Sequence, residues 1–139
     1  MSHWSERYIG IAFAEHGRDF SGLDCWGLVH LALAEERAIA VPSYAGIVDF
    51  AEQADIASLV QGEQAKPVWH EIGGGLVRAF DVALFRRGRL ASHVGLVVQP
   101  GLMLHVPFDH VKIESYRTGV WQNRLVGVYR HRELSEAAP

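Results

Sequence analysis

The chain has 139 residues, of which 49% are hydrophobic and 21% are charged, and its formal net charge is −3. This composition is typical of a folded globular domain and excludes a disordered or fibrous protein, and the small net charge gives no field that would attract nucleic acid. The single cysteine excludes a disulfide framework within the chain.

The length fits one domain. We assign residues 1–132 to that domain and residues 133–139 to a polar tail. No apolar run approaches the roughly 18 residues that cross a membrane. The first residues also lack the basic-then-apolar order of a secretory signal. We therefore expect a protein that is made in the cytoplasm without a signal peptide, has no membrane span and needs no cofactor.

The first half of the chain shows helical periodicity. Apolar residues at mostly helical spacing predict a short helix within residues 3–14, and turn-forming residues predict a loop over 17–22. A longer helix is predicted from about residue 25 to 37, with Asp24 as its N-cap. A second, surface helix is predicted over residues 47–61.

The second half of the chain contains short apolar runs that are bounded by turns. They predict five strands, over 68–72, 81–86, 93–98, 102–106 and 125–129. Hairpin-length connections between successive strands favour an antiparallel sheet. Helices followed by strands predict an α+β fold.

Cys25 stands at the start of the predicted central helix, directly after its Asp24 cap. The unpaired N–H groups and the dipole at a helix N-terminus lower the pKa of a thiol, and the thiolate is the nucleophilic form. The same amides can hold a developing oxyanion. A lone cysteine is also commonly a small buried hydrophobe. The position therefore indicates either a nucleophile or a core residue.

A cysteine nucleophile needs a base, and the base needs a third group that orients it. His93 and His105 lie on the two arms of a hairpin that turns at Pro100-Gly101. A three-residue loop over 99–101 places Gly95 opposite His105 and both histidines on one face. A two-residue loop sends them to opposite faces, so a Cys-His-His site requires an odd loop. Either histidine can instead be a strand-end residue that bonds to the backbone.

Other polar clusters point more weakly to function. His105, His110 and Cys25 are conceivable metal ligands, but no metal-binding spacing such as Cys-x-x-Cys or His-Glu-x-x-His supports such a site, and we predict no metal. Basic residues within 86–89 and over 130–132 are typical of solvated rims rather than of docking sites for an acidic partner.

A set of short motifs follows in one order over residues 10–130. They are Gly17-Arg18, Asp24-Cys25-Trp26-Gly27-Leu28-Val29, Pro42-Ser43-Tyr44, Asp81-Val82-Ala83-Leu84-Phe85, His93-Val94-Gly95-Leu96, Leu104-His105-Val106 and Leu125-Val126-Gly127-Val128-Tyr129-Arg130. In this combination the chain resembles the NlpC family of papain-fold cell-wall cysteine peptidases. It looks most like the branch found in phage tails and gene transfer agents.

The resemblance implies a papain-like NlpC fold, with N-terminal helices packed on a five- to six-stranded antiparallel sheet. It implies a triad in which Cys25 is the nucleophile, His93 is the general base and acid, and His105 orients His93. The implied substrate is a peptidoglycan stem peptide, cut between D-glutamate and diaminopimelate through an acyl thioester.

Three residues beside the implied triad bear on the oxyanion and on substrate binding. Phe13 stands where the family often has a tyrosine whose hydroxyl reaches the catalytic site. Trp26 replaces the serine that many members use, together with the preceding aspartate, here Asp24, to recognise a free amino end of the stem peptide. Tail-associated members also tend to have tryptophan there. A further departure is Phe80, which replaces the glycine of the family's Gly-Asp pair and which we take as structural.

The resemblance also implies a setting. We expect a peptidase at the tail tip of a virion or gene transfer particle, held by tail-tip or baseplate hub proteins, that opens peptidoglycan in the host periplasm so that DNA can enter. Two alternatives stay open. The domain can be a catalytically weak or inactive tail component that binds without cleaving, as Phe13 and the basic rim suggest, or it can transfer the acyl group to an amine or alcohol.

Overall fold

A computed structural model of the chain describes residues 3–41, 69–73, 76–87 and 90–137. The predicted helix over 47–61 and the motif at 42–44 lie outside these residues. A 3₁₀ turn at Trp4–Arg7 comes first. The elements that follow are β1 (Arg18–Asp19), β2 (Gly22–Leu23), α1 (Cys25–Arg37), β3 (Trp69–Glu71), β4 (Val82–Arg87), β5 (Leu90–Gln99), β6 (Leu102–His105), β7 (Lys112–Ser115), α2 (Gly119–Arg124), β8 (Leu125–His131) and α3 (Arg132–Ala137).

Helix α1 is fixed at both ends by its own sequence. At its start, Asp24 Oδ1 accepts the N–H of Gly27 at 2.8 Å, which satisfies one of the unpaired donors of the first turn. At its end, Ala38 turns into the left-handed region with φ of 54°, and its N–H bonds to the carbonyl of Ala34. The helix predicted over 25–37 is therefore confirmed.

The six strands of the main sheet are antiparallel and lie in the order β3-β8-β4-β5-β6-β7. Successive side chains of a strand point to opposite faces, so the sheet has two apolar faces. One face belongs to the same core as α1 and contributes Val82, Leu84, Val94, Leu96 and Leu104. The other forms a second cluster with Trp121 of α2, from Ala83, Phe85, Val97, Met103 and Val128. The predicted α+β class is confirmed, and the five predicted strands correspond to β3, β4, β5, β6 and β8.

The N-terminal segment differs from the prediction. Within residues 3–14, helical structure is limited to the 3₁₀ turn, because Gly10 takes a φ of 91° that a continuing helix does not allow. Beyond it the backbone is extended, and Ala12 and Phe13 form single bridges to His110 and Leu23. The predicted loop over 17–22 is instead a small antiparallel hairpin of β1 and β2.

Three elements of the second half were not predicted. Strand β7 is a half-buried edge strand whose sequence, Lys-Ile-Glu-Ser, has no apolar run to reveal it. Helix α2 is short and polar except where Trp121 is buried. Helix α3 lies where the sequence suggests an unpatterned tail, and it packs against β8 with Leu134 buried in the main core.

Candidate active site

Cys25 is the first residue of α1, directly after its capping Asp24, and it is 9% exposed. Its predicted position at the N-terminus of the central helix is confirmed. The first-turn amides and the helix dipole favour negative charge there, and the thiolate is the reactive form of the side chain. The helix packs against β5, the strand that carries His93.

The turn before Cys25 is fastened by Asp24. Besides capping the helix, Asp24 Oδ1 accepts a bond of 2.6 Å from Arg18 Nη1, and its Oδ2 accepts the N–H of His16 at 3.0 Å. Both carboxylate oxygens therefore bond to the protein itself, and the side chain is only 9% exposed. Asp24 acts here as a structural clamp, and its contribution to substrate binding stays a prediction.

Gly27 explains why the Gly17-Arg18 and Asp24–Gly27 motifs occur together. A Cβ atom at Gly27 would lie 1.9 Å from the carbonyl oxygen of Gly17, a distance that atoms cannot adopt. The same carbonyl accepts a bond of 2.8 Å from Arg18 Nη1. The hairpin can thus lie directly on the first turn of the helix only because residue 27 has no side chain.

His93 and His105 meet in the interior. Both are fully buried, and Nε2 of His93 lies 2.9 Å from Nδ1 of His105, a hydrogen bond between the two rings. Their centroids are 5.1 Å apart and the rings are 70° from parallel. The contact between these two side chains, predicted from one register of the hairpin, is present.

The pairing of β5 with β6 that brings the histidines onto one face differs from the predicted pairing. Gln99 pairs with Leu102, so the loop holds only Pro100 and Gly101, and such a loop was expected to separate the histidines. A β-bulge falls between Val97 and Gln99, because Val97 pairs with Met103. The extra residue of the bulge offsets the short loop and returns both histidines to one face.

Gly95 makes room mainly for Met103 on the neighbouring strand β6. A Cβ atom on Gly95 would lie 2.6 Å from Met103 Sδ and 3.4 Å from His105 Cβ. The predicted gap opposite His105 is therefore occupied by the side chains of β6.

Trp121 and Glu114, which the sequence analysis missed, complete the surroundings of the pair. Trp121 stacks on His93 with centroids 4.8 Å apart and meets His105 edge-on at 5.0 Å. Glu114 Oε1 lies 2.8 Å from His105 Nε2. Neither lies in a motif. A buried tryptophan in a polar segment and a glutamate on an edge strand become recognisable only once α2 and β7 are in place.

Phe13 and Trp26 occupy contrasting places. Phe13 bridges to Leu23 through its backbone, and its side chain is 45% exposed. Trp26 is only 4% exposed and packs edge-on against Trp69, with ring centroids 6.4 Å apart. Their predicted roles toward substrate stay predictions. The burial of Trp26 also makes it part of the core.

A family model described as the NlpC/P60 family matches residues 10–130. The chain belongs to the NlpC/P60 family. This match spans α1, both histidines and all but the last residue of the closing strand β8.

Solved structures with the same fold include other NlpC/P60 proteins. An NLP/P60 protein from Staphylococcus aureus, described as similar to a lipoprotein, superposes with a TM-score of 0.67 at 19% identity over 91% of this chain and 38% of its own. An NlpC/P60 protein from Bacillus cereus gives 0.66 at 18% identity, over 91% of this chain and 37% of its own. The present chain thus spans well under half of either protein.

A third similar structure is the NlpC/p60 domain of the peptidoglycan hydrolase SagA, with a TM-score of 0.62, 16% identity and coverage of 91% of this chain and 92% of that one. No curated protein sequence matches the chain significantly.

The polar cluster near the end of this NlpC/P60 chain is partly structural. The prediction of a solvated rim over 130–132 is wrong for its first two residues. Arg130 donates from Nε and Nη2 to the fully buried carboxylate of Asp81, at 2.7 and 2.8 Å, and His131 is buried. The bonds to Asp81 also raise the pKa of Arg130 above its usual value. His110 pairs with Asp109 on the surface at 2.9 Å.

Two kinds of feature are missing from the residues that the structure describes. These residues include no group of three or more histidine, cysteine or acidic side chains placed to hold a metal ion. Among them there is also no helix of the length and hydropathy needed to cross a bilayer.

Proposed function

We propose that the protein is a cysteine peptidase that hydrolyses peptidoglycan stem peptides. The observation that carries the proposal is the buried bond of 2.9 Å between His93 and His105, on the strand pair next to a helix that begins with Cys25. Membership of the NlpC/P60 family, and a fold shared with a domain of a named peptidoglycan hydrolase, support it.

The proposed first step forms a tetrahedral intermediate. His93 takes the thiol proton on Nδ1, the ring nitrogen other than the one bonded to His105. The Cys25 sulfur then attacks the carbonyl carbon of the scissile amide, and the negative charge moves to the carbonyl oxygen. The backbone N–H of Cys25, at the positive end of α1, supplies part of the oxyanion hole.

The next step uses the same proton and forms the thioester. His93, now protonated, donates it to the leaving nitrogen as the C–N bond breaks. Water then attacks the thioester with His93 as base, and the acid product and the free thiol are released. His105 holds the ring of His93 in orientation throughout, and burial of both rings limits competition from solvent.

The proposed scissile bond joins D-glutamate to diaminopimelate. This assignment rests on the resemblance of the Cys25, His93 and His105 motifs to the stem-peptide peptidases. Because both oxygens of Asp24 bond to Arg18, His16 and Gly27, we propose that cleavage does not require a free amino end held by this carboxylate.

The proposed setting is the tail tip of a virion or gene transfer particle. Trp26, in place of the usual serine, supports the tail-associated branch. In this setting the protein contacts tail-tip or baseplate hub proteins and acts on host peptidoglycan in the periplasm. Purification of particles with and without the hub proteins, followed by peptide mass spectrometry, tests it: the proposal fails if the protein is absent from intact tails.

Activity is tested on purified muropeptides with the chain and its Cys25→Ala and His93→Ala variants. We expect mass spectrometry to show fragments cut at the D-glutamyl bond with the unmodified chain and none with either variant. If the unmodified chain and Cys25→Ala yield the same products, the peptidase proposal is wrong. Retained binding of muropeptides without cleavage would then favour the alternative of a binding component, and fragments extended by an added amine would identify acyl transfer.

A further inference from the structure

We propose that Glu114 is a positioning residue that sets the protonation pattern of the histidine pair. Its Oε1 lies 2.8 Å from Nε2 of His105, and Nδ1 of the same ring lies 2.9 Å from Nε2 of His93. The three side chains form one chain of hydrogen bonds that runs from the edge strand β7 through β6 to β5. The proposal rests on the function proposed above, because it concerns the same histidines.

The direction of each hydrogen bond follows from the carboxylate of Glu114, at which the row of hydrogen bonds ends. A carboxylate only accepts hydrogen bonds, so His105 must donate from Nε2–H to Glu114. A neutral imidazole carries one N–H, which leaves Nδ1 of His105 as an acceptor. His93 must then donate from Nε2–H, and its unprotonated nitrogen is Nδ1. Glu114 thereby selects the tautomer of His93 that can act as a base at Nδ1.

The surroundings keep this chain in place. Both rings are fully buried, and Trp121 contacts one face-on and the other edge-on. Strand β7 pairs His105 directly with Lys112, which fixes the distance between the backbones that carry His105 and Glu114. Glu114 itself is 39% exposed, so the carboxylate joins a buried pair to solvent.

A cavity of about 480 Å³ opens beside this carboxylate. Its walls include Glu114, Trp121, Lys112 and Arg124. The outer end of the hydrogen-bond chain is therefore a partly exposed carboxylate in a cavity that Lys112 and Arg124 also line, whereas the inner end is buried. When His93 takes the thiol proton, Glu114 supplies the negative charge nearest to His105 that stabilises the protonated pair.

The decisive variant is Glu114→Gln, which keeps the size of the side chain and removes the charge. A glutamine amide can turn its NH₂ group toward Nε2, and this would favour the opposite tautomer of both histidines. We expect kcat to fall by about 10- to 100-fold, the range found when the outer hydrogen-bond partner of a metal-ligating histidine is lost, with KM nearly unchanged. Glu133→Gln, an equal loss of charge at an exposed site on α3, is the matched control and should leave both constants unchanged.

Two readouts do not depend on peptidase activity. In ¹⁵N-histidine NMR of the unmodified chain, His105 should show the Nε2–H tautomer, and Glu114→Gln and Glu114→Ala should shift it toward Nδ1–H. The alkylation rate of Cys25 near neutral pH should fall in the same variants and not in Glu133→Gln. An Nδ1–H tautomer in the unmodified chain, or unaltered tautomers and alkylation in both variants, would overturn the proposal. Lack of stem-peptide cleavage with these readouts as expected would instead refute the proposed function alone.

Discussion

Arg18 Nη1 lies 2.6 Å from Asp24 Oδ1, and this oxygen also caps the helix that begins with Cys25. The ion pair is nearly enclosed, with side-chain exposures of 13% and 9%. Removal of one partner of such a pair leaves an uncompensated charge away from water, which costs far more than the pair itself contributes.

We therefore expect Arg18→Met to lower the free energy of unfolding by about 3 kcal/mol. The double variant Arg18→Met, Asp24→Ser should recover part of that loss, because serine caps a helix without a charge. Urea unfolding of both variants provides the measurement. Arg7→Met serves as the exposed control, because the Arg7 side chain, which pairs with Glu36, is 50% exposed, and it should cost less than about 1 kcal/mol. Equal losses in Arg18→Met and Arg7→Met would contradict the clamp.

Phe80 has a φ of 74°, a left-handed conformation that favours glycine. Its ring stacks on Trp4 with centroids 4.3 Å apart, which helps to hold the strained backbone. Phe80, which stands in place of the glycine of the family's Gly-Asp pair, thus takes a conformation that favours glycine and adds a ring contact.

Substitutions at Phe80 should reverse the normal ranking of alanine and glycine. Phe80→Ala loses the stacked ring and keeps the strain, whereas Phe80→Gly loses the ring and relieves the strain. We expect Phe80→Gly to be the more stable of the two by about 1 kcal/mol. At Phe85, which lies within strand β4, the alanine variant should be the more stable one. Thermal or urea unfolding of the four variants measures their stabilities. If alanine is more stable than glycine at both positions, Phe80 does not carry backbone strain.

Trp26 fills the core against Trp69, so its replacement changes stability before it changes specificity. We expect Trp26→Ser to lower the free energy of unfolding by about 3–5 kcal/mol, as other deletions of buried aromatic rings do, and Trp26→Phe to lose much less. Substrate preference should be compared at a temperature where circular dichroism shows both variants folded. There, serine should change the preference among stem peptides through its own hydroxyl alone, because both oxygens of Asp24 are bonded within the protein. Wild-type stability of Trp26→Ser would show that the ring does not fill the core.

Phe13 lacks the hydroxyl of the tyrosine that the family often has in its place. Because the ring is 45% exposed, an added hydroxyl meets no close packing. We expect Phe13→Tyr to raise kcat by up to about 100-fold, the typical value of one oxyanion donor, without loss of stability. Phe20→Tyr is the matched control, since Phe20 is similarly exposed at 41% and stacks on Tyr8. Equal effects of the two substitutions on kcat would show that position 13 does not contribute to the oxyanion hole.

The sequence predicts best what depends on strong local signals. Helix α1 was predicted because an Asp24 cap precedes a long apolar period, and five strands because apolar runs are separated by turns. Strand β7 and helix α3 could not be predicted because their residues are mostly polar, and only the neighbours that they pack against specify their structure. The 3₁₀ turn was predicted as a helix because periodicity alone does not register the φ of Gly10.

The candidate site divides in the same way. Cys25, His93 and His105 stand in motifs whose chemistry can be inferred from residue type and spacing. Glu114 and Trp121 depend on pairing and packing between distant segments, which no local pattern encodes. The contact between the histidines depends on the bulge at Val98 and not on the predicted three-residue loop. Loop length alone does not reveal a bulge.

That bulge has a consequence for how the hairpin can vary. Hairpin tips are commonly the part of a sheet where residues are gained or lost most freely. Here the face of each histidine is set by the pairs of Leu96 with Leu104 and of Val97 with Met103, which lie between the rings and the bulge. A residue added at the Pro100-Gly101 tip lengthens the loop and leaves these pairs intact, whereas a residue added or removed within the paired segments reverses the face of one histidine. Variation in length should therefore be tolerated at the tip and excluded from the strand segments between the bulge and the two histidines.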